Sequence, residues 1–314
     1  MKKLIIIVAT LLAATSVFAQ DMATLTETYN SGITANEAGN VELALQTFKD
    51  ALVMAEALGD EGAEIAGNCK SSIPILMFSL AKKAANAAEY EKAVSGLKET
   101  IETAKKYGVD NIADEATVLI PQVLMQKANG FFNEKDYASA AEAYKAVLAE
   151  DAANGMASLR LGAALKALGD KAGAVEAFQA AIANGQDKAA SKQLMNLYQQ
   201  DAAASLKAKK YDDAIAAALE SNKYGESAKA YQIAGTAASN GGKTKQAIEY
   251  FEKYVELAPT AKNSGDILFS IAVSYQQLKD NAKAKEYYQK AIADPTKINP
   301  KNLEAAKAQL AVIK

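Results

Sequence analysis

Residues Ala237 to Thr244, read as AASNGGKT, have the spacing of a relaxed phosphate-binding loop. In that chemistry backbone amides surround a nucleotide's phosphates and Lys243 reaches the terminal one, but the loop needs a strand before it and a helix after it. Here the upstream segment reads as helix, and Gly241-Gly242 fill the same slot as Gly39 and Gly169, so an ordinary inter-helix turn is expected. Adjacent acids at Asp60-Glu61, Glu150-Asp151 and Asp212-Asp213 raise the chemistry of paired carboxylates. Each pair lies near a helix end or turn, where acids are solvated and cap amides, and nothing sets one acid against a base. Lys207 to Lys210 reads as a solvated helix end.

Composition removes most other chemistry. The 314 residues include no His, no Trp and a single Cys, Cys69. Triads built on His, His-bearing metal sites, thiolate zinc sites and disulfide frameworks are therefore absent. Arg160 is the only arginine, so bidentate arginine clusters for phosphate or guanine are unavailable, and a pI near 5.6 argues against nucleic acid. The sequence predicts no enzyme, no cofactor and no bound metal. Ala supplies roughly one residue in five, which points to closely packed helices.

The first 19 residues read as a leader. Lys2 and Lys3 precede an apolar stretch from Leu4 to Phe18, and Val17-Phe18-Ala19 puts small side chains where a signal peptidase reads. The stretch is short for a membrane span and no basic stop-transfer cluster follows it. The expectation is cleavage after Ala19 and export, to the periplasm or the periphery of an outer membrane, or by secretion. In that compartment Cys69, flanked by Ile65, Ala66 and Ile73, is expected to be a buried small hydrophobe.

What the rest of the chain must position is set by an internal repeat. Seven alanines recur in equivalent segments: Ala44, Ala93, Ala140, Ala174, Ala214, Ala247 and Ala284. Twelve residues before each stands Gly or Ala: Gly32, Ala81, Ala128, Gly162, Ala202, Gly235 and Ala272. Four residues after come Phe48, Leu97, Tyr144, Phe178, Ala218, Phe251 and Tyr288; eight after, mostly an aliphatic residue. Small residues on one helix let a second cross it closely, and residues at i, i+4 and i+8 then fill the groove between neighbours. One such hairpin cannot bury its own apolar face, so the copies must stack. The first two intervals between alanines are the longest, and Ile73-Pro74 and Ile120-Pro121 recur within them. This predicts extended first helices kinked or restarted at each proline. Past Pro300, residues Asn302 to Ile313 read as a last amphipathic helix that caps the final apolar face.

These residues resemble the tetratricopeptide repeat (TPR) family, most clearly over Gly162 to Gly185 and Tyr231 to Pro259. The copy around Ala214 departs most, with Ala218 and Asn222 where bulk is expected. The resemblance implies an all-α fold, a right-handed α-solenoid of about seven antiparallel hairpins over residues 20–296, with a capping helix in 297–314. It also implies a concave groove lined by first helices. By repeat position Tyr29, Phe78, Lys82, Gln126, Asn129, Arg160, Gln199, Gln200, Gln232 and Phe269 would line it. Some TPR domains hold a partner's C-terminal carboxylate in a clamp of two Lys, two Asn and one Arg. Here Arg160 falls on the clamp's Arg place and Gln126 replaces one Asn, while Phe78, Lys82 and Met156 occupy other places, so the clamp as such is missing. What remains is a looser groove of amides and cations, with Arg160, Asn129, Gln126, Lys82 and Gln200 as candidate contacts. The implied function is a non-enzymatic scaffold binding another envelope protein or peptide, with no nucleic acid and no membrane span in the mature chain. The alternative is an envelope glycan, with aromatic rings stacked on sugars and amides meeting hydroxyls.

Overall fold

The computed structural model describes residues 21–313. The leader expected over residues 1–19 lies outside them. Among the described residues the chain is all-α, with fifteen α-helices, two short 3-10 turns and no strand. The helices are α1 (21–37), α2 (Val41–Ala57), α3 (Ala63–Asn86), α4 (Tyr90–Tyr107), α5 (Asp110–Asn133), α6 (Tyr137–Glu150), α7 (Gly155–Leu168) and α8 (Lys171–Ala183). They continue as α9 (Asp187–Lys207), α10 (Tyr211–Asn222), α11 (Ala228–Asn240), α12 (Thr244–Leu257), α13 (Ser264–Gln277), α14 (Asn281–Ile292) and α15 (Pro300–Val312). Contacts divide the chain into two units, one running to Ala174 and one beginning at Val175, with the division inside α8. Within each, helices consecutive in sequence pack on one another, which makes each a helical-repeat solenoid.

The repeat is visible residue by residue. All seven anchor alanines are fully buried, and each is the fourth residue of an even-numbered helix. Five residues before each anchor the backbone turns left-handed: Gly39, Ala88, Lys135, Gly169, Lys209, Gly242 and Lys279 all have positive φ. The next residue's N–H then bonds back to the carbonyl five before it, as in Asn40 to Ala35 and Lys243 to Ala238, at 2.8–3.0 Å in all seven turns. That is the Schellman closure, which satisfies the last carbonyls of one helix while aiming the chain into the next. Where the same residue is Asn40, Asp136, Asp170 or Asp280, its side chain also accepts the N–H three residues on.

Packing follows the helical angle. The residue four after each anchor is buried in every copy, as expected. The second deep position is seven after, not eight: Ala51, Thr100, Val147, Ala181, Ser221, Tyr254 and Ala291 are all buried, whereas most residues at eight are only half-buried. At about 100° per residue, i+4 and i+7 lie within about 40° of the anchor and i+8 about 80° away, at the seam with the next helix. All seven small residues twelve before the anchors are buried too. Gly32 and Gly235 show why: a Cβ there would stand 2.9 Å from the Phe48 ring and 2.5 Å from the Phe251 ring.

The long first helices do not restart at proline. α3 and α5 each run 24 residues without a break, with Pro74 and Pro121 inside them. A helix interior tolerates proline when packing elsewhere offsets the lost hydrogen bond. Pro74 and its neighbours Ile73 and Leu76 are buried, as are Ile120 and Val123 beside Pro121. The capping helix is α15, entered through a 3-10 turn at Pro295–Lys297 and capped by Asn299. Its Ala306, with Leu310 and Ile313, covers Ala272, Ala284 and Tyr288.

Buried protonated groups give the fold an alkaline limit. Burial raises the phenols of Tyr144, Tyr250 and Tyr288 above their ordinary 10.0, and pushes the fully buried Cys69 thiol from 9.0 to about 11. The folded chain thus keeps protons that the unfolded chain loses, so stability is complete below about pH 9 and falls as pH rises through the folded values. Thermal melts are expected to be flat to about pH 9 and to drop steeply by about pH 11, with Cys69 alone contributing a loss on the order of 2 kcal/mol. Cys69→Ala should remove the earliest part of that decline; a melting temperature that rises above pH 9 would contradict the assignment.

Candidate functional site

The odd-numbered helices α3, α5 and α7 of the first unit leave two adjoining cavities, one on each flank of α5. The first, about 470 Å³, lies between Phe78 and Lys82 of α3 and residues Asp114, Glu115, Val118, Leu119 and Gln122 of α5. The second, about 610 Å³, lies between Thr117, Val118, Pro121, Gln122 and Met125 of α5 and the segment carrying Glu150, Asp151, Asn154 and Met156. Val118 and Gln122 belong to both. Spaced i and i+4, they form the ridge that separates the two.

Sequence explains the local shape. Asp151 and Asn154 hold a tight turn between α6 and α7, in which the Asp151 carboxylate accepts the Ala153 N–H at 3.2 Å and the Asn154 amide at 3.1 Å. Asn154 then caps α7 through the Ala157 N–H. Pro121 has no N–H to give the Thr117 carbonyl one turn back, and both residues face the second cavity. The floor is apolar and open: Val118 is 62% exposed and Met156 43%. Large apolar side chains held this far into water at a concavity are what a binding surface presents. Methionine adapts to irregular occupants because its chain is unbranched.

Of the five contacts expected from sequence, Lys82 lines a cavity, its ammonium 4.5 Å from the Phe78 ring centre. Arg160 lies over the Phe132 ring at 5.7 Å, Phe132 packs edgewise on Tyr144, and the Tyr144 hydroxyl donates to Asn129 at 2.7 Å. Arg160 and Asn129 are thus joined through two aromatic rings, and the Arg160 charge partly opposes the effect of burial on the Tyr144 phenol. Gln126 is exposed one turn beyond Gln122 on α5. Gln200 is exposed on α9, in the second unit. Other expected lining residues pack internally: Tyr29 on Phe48, Phe269 on Tyr288, and Gln199 buried with its amide on the Ser227 hydroxyl at 3.1 Å. Sequence reasoning missed Val118, Gln122, Met125 and the acids of α5. A signal was present: Phe78, Lys82 and Met156, where the clamp pattern fails, are cavity-lining residues.

The other chemistry-bearing residues serve the fold. Lys243 and Gly242 form the turn between α11 and α12, with the Lys243 ammonium 2.6 Å from Asp212 and a helix, not a strand, upstream. Asp212 and Asp213 occupy the first turn of α10. Among the described residues no cluster of three metal-ligating side chains occurs.

Two family models, each described as tetratricopeptide repeat, match the sequence, one over residues 125–189 and the other over 228–260 and 265–293. These stretches are tetratricopeptide repeats. The matched stretches hold four of the seven left-handed turns, at Lys135, Gly169, Gly242 and Lys279. Solved structures similar to the chain include MamA, at 21% identity over 58% of this chain and 96% of that one, with a TM-score of 0.33. YrrB, titled a TPR protein with an unusual peptide-binding site, matches at 19% identity over 59% and 91%, with a TM-score of 0.35. PilF of Pseudomonas aeruginosa matches at 18% over 61% and 87%, with a TM-score of 0.31. None of the curated proteins compared is similar to the chain.

Proposed function

We propose that this protein is a non-enzymatic scaffold of the cell envelope, holding an extended segment of another protein in the two cavities beside α5. The carrying observation is the pair of apolar-floored cavities sharing the Val118–Gln122 ridge. An extended chain crossing that ridge places one side chain in each cavity while the Gln122 amide meets its backbone or side-chain polar groups. TPR proteins are generally scaffolds, and no described helix is long and apolar enough to cross a membrane. The glycan alternative draws less support, because Tyr29, Phe78 and Phe269, the rings it would stack on sugars, are packed against other side chains. The envelope location rests on the leader pattern of residues 1–19.

A photo-crosslinking residue at position 122 tests the site in cells. It is expected to trap a discrete protein partner, with the yield falling about tenfold in Val118→Glu, since a carboxylate on the ridge must be desolvated by any apolar occupant. Arg160→Ala should reduce the yield less, because Arg160 acts at the Phe132 end of the same helices. Trapping that is indifferent to Val118→Glu would remove the cavities from the function. The trapped chain is expected to start at Gln20; a chain retaining Met1 would overturn the envelope assignment.

A further inference from the structure

Charge around the two cavities is unbalanced. Asp114 and Glu115 stand exposed on the rim of the first, and Asp151, half-buried and accepting from Ala153 and Asn154, lies on the rim of the second. Glu150 is paired with Lys98 at 2.8 Å, and among the described residues that line the two cavities Lys82, held over Phe78, is the one cation. Of the polar groups left for a ligand, the Asp114 and Glu115 carboxylates only accept, while the Gln122 amide both accepts and donates. An occupant must therefore bring donors and positive charge, together with apolar side chains for the Val118 and Met156 floor.

We propose that the segment bound beside α5 is basic. It carries Lys or Arg side chains that meet Asp114, Glu115 and Asp151, and two apolar side chains that enter the two cavities. This rests on the scaffold reading above and gives its partner a chemistry. Neighbouring helix axes lie about 8–10 Å apart, so cavities on opposite flanks of α5 are separated by roughly that distance. An extended chain of polyproline II form advances about 3.1 Å per residue and returns every third side chain to one face, which sets the two apolar anchors three positions apart. The polarity is opposite to that of a carboxylate clamp: acids line this surface, and Arg160 is engaged with Phe132.

The test uses the full mature chain and two labelled peptides of about ten residues, read by fluorescence anisotropy. One has two leucines three positions apart and three lysines on a glycine–serine background; the other replaces each lysine with glutamate. The lysine peptide is expected to bind about tenfold more tightly at low salt, the combined effect of three ion pairs at the cavity rims. That preference should shrink at about 0.5 M salt, where exposed pairs are screened. Asp114→Lys with Glu115→Lys should erase or invert the preference, and Val118→Glu should weaken the binding of both peptides. All three positions are exposed, so circular dichroism should show each variant folded. Equal binding of both peptides, still weakened by Val118→Glu, would overturn the basic occupant and leave the scaffold reading standing. No binding of the lysine peptide, or binding indifferent to both the charge reversal and Val118→Glu, would also overturn the proposal; the crosslink at position 122 then judges the scaffold separately.

Discussion

Gly235→Ala is expected to cost about 3 kcal/mol of folding stability, far more than the 1 kcal/mol or so of propensity it would return to helix α11. The added methyl carbon would sit 2.5 Å from Phe251 Cδ1 and 2.6 Å from Cε1. Phe251 cannot swing aside, because it is buried with Ala247, Ile248, Tyr254 and Ile271. Relief must come from separating α11 and α12, which loosens the whole hairpin. The other copies supply the remedy. Where the first helix carries Gly32 or Gly235 the facing residue is Phe, and Gly162 with Phe178 repeats the pairing in sequence. Where it carries Ala the facing residue is Leu97, Tyr144, Ala218 or Tyr288, and both tyrosines tie their hydroxyls to a first-helix amide, Asn129 or Gln276.

The double variant Gly235→Ala with Phe251→Leu therefore reproduces the pairing of Ala81 with Leu97. Alone, Phe251→Leu should cost about 1 kcal/mol through the cavity it leaves. Combined, the two should be more stable than the sum of their separate effects by about 1.5 kcal/mol, a coupling typical of residues in contact. Urea unfolding of the four proteins in the cycle measures it. A Gly235→Ala protein within 0.5 kcal/mol of wild type would show that the small residue is not needed for close approach.

These pairs also show what the sequence made legible. Small, large and anchor positions repeat at fixed offsets, so the seven hairpins and the final helix are readable from residue types alone. The turns are less so. Gly39, Gly169 and Gly242 announce a left-handed residue, but Ala88, Lys135, Lys209 and Lys279 adopt it as well. Side chains there cost about 1–2 kcal/mol, offset by the Schellman bonds and by packing that is decided elsewhere in the hairpin. Periodicity likewise placed the buried face at i+8 when the helix angle favours i+7. Uninterrupted passage through Pro74 and Pro121 depends on what surrounds them, which no local rule reports. The cavities were least legible of all. They are gaps between helices, so their walls are defined by which side chains stop short, and Arg160 drew attention by its rarity while Val118 carried no signal in its type.

Gly265→Ala is expected to release the C-terminal cap and cost about 3 kcal/mol. Its Cβ would lie 2.8 Å from both the Ile298 Cβ and the Lys297 carbonyl oxygen, and the latter is backbone that cannot rotate away. The same point of α13 holds the cap by hydrogen bonds. Asp266 Oδ1 accepts the Asn299 N–H at 3.0 Å, the Asn299 amide at 2.5 Å and the Asn302 amide at 2.9 Å. Pushing 297–299 away breaks that set together, and with it the docking of Ala306 and Ile313 on Tyr288. Asp266→Ala removes only the acceptor and should cost about 2 kcal/mol, and Asp266→Asn less, because an amide oxygen still accepts. The loss should be local. Amide exchange is expected to accelerate through α14 and α15 while α3 to α5 keep their protection, since each hairpin in a repeat array leans on its neighbours. Equal acceleration in α3 would mean that the chain unfolds as one cooperative block, and the cap would then stabilise every repeat rather than the last.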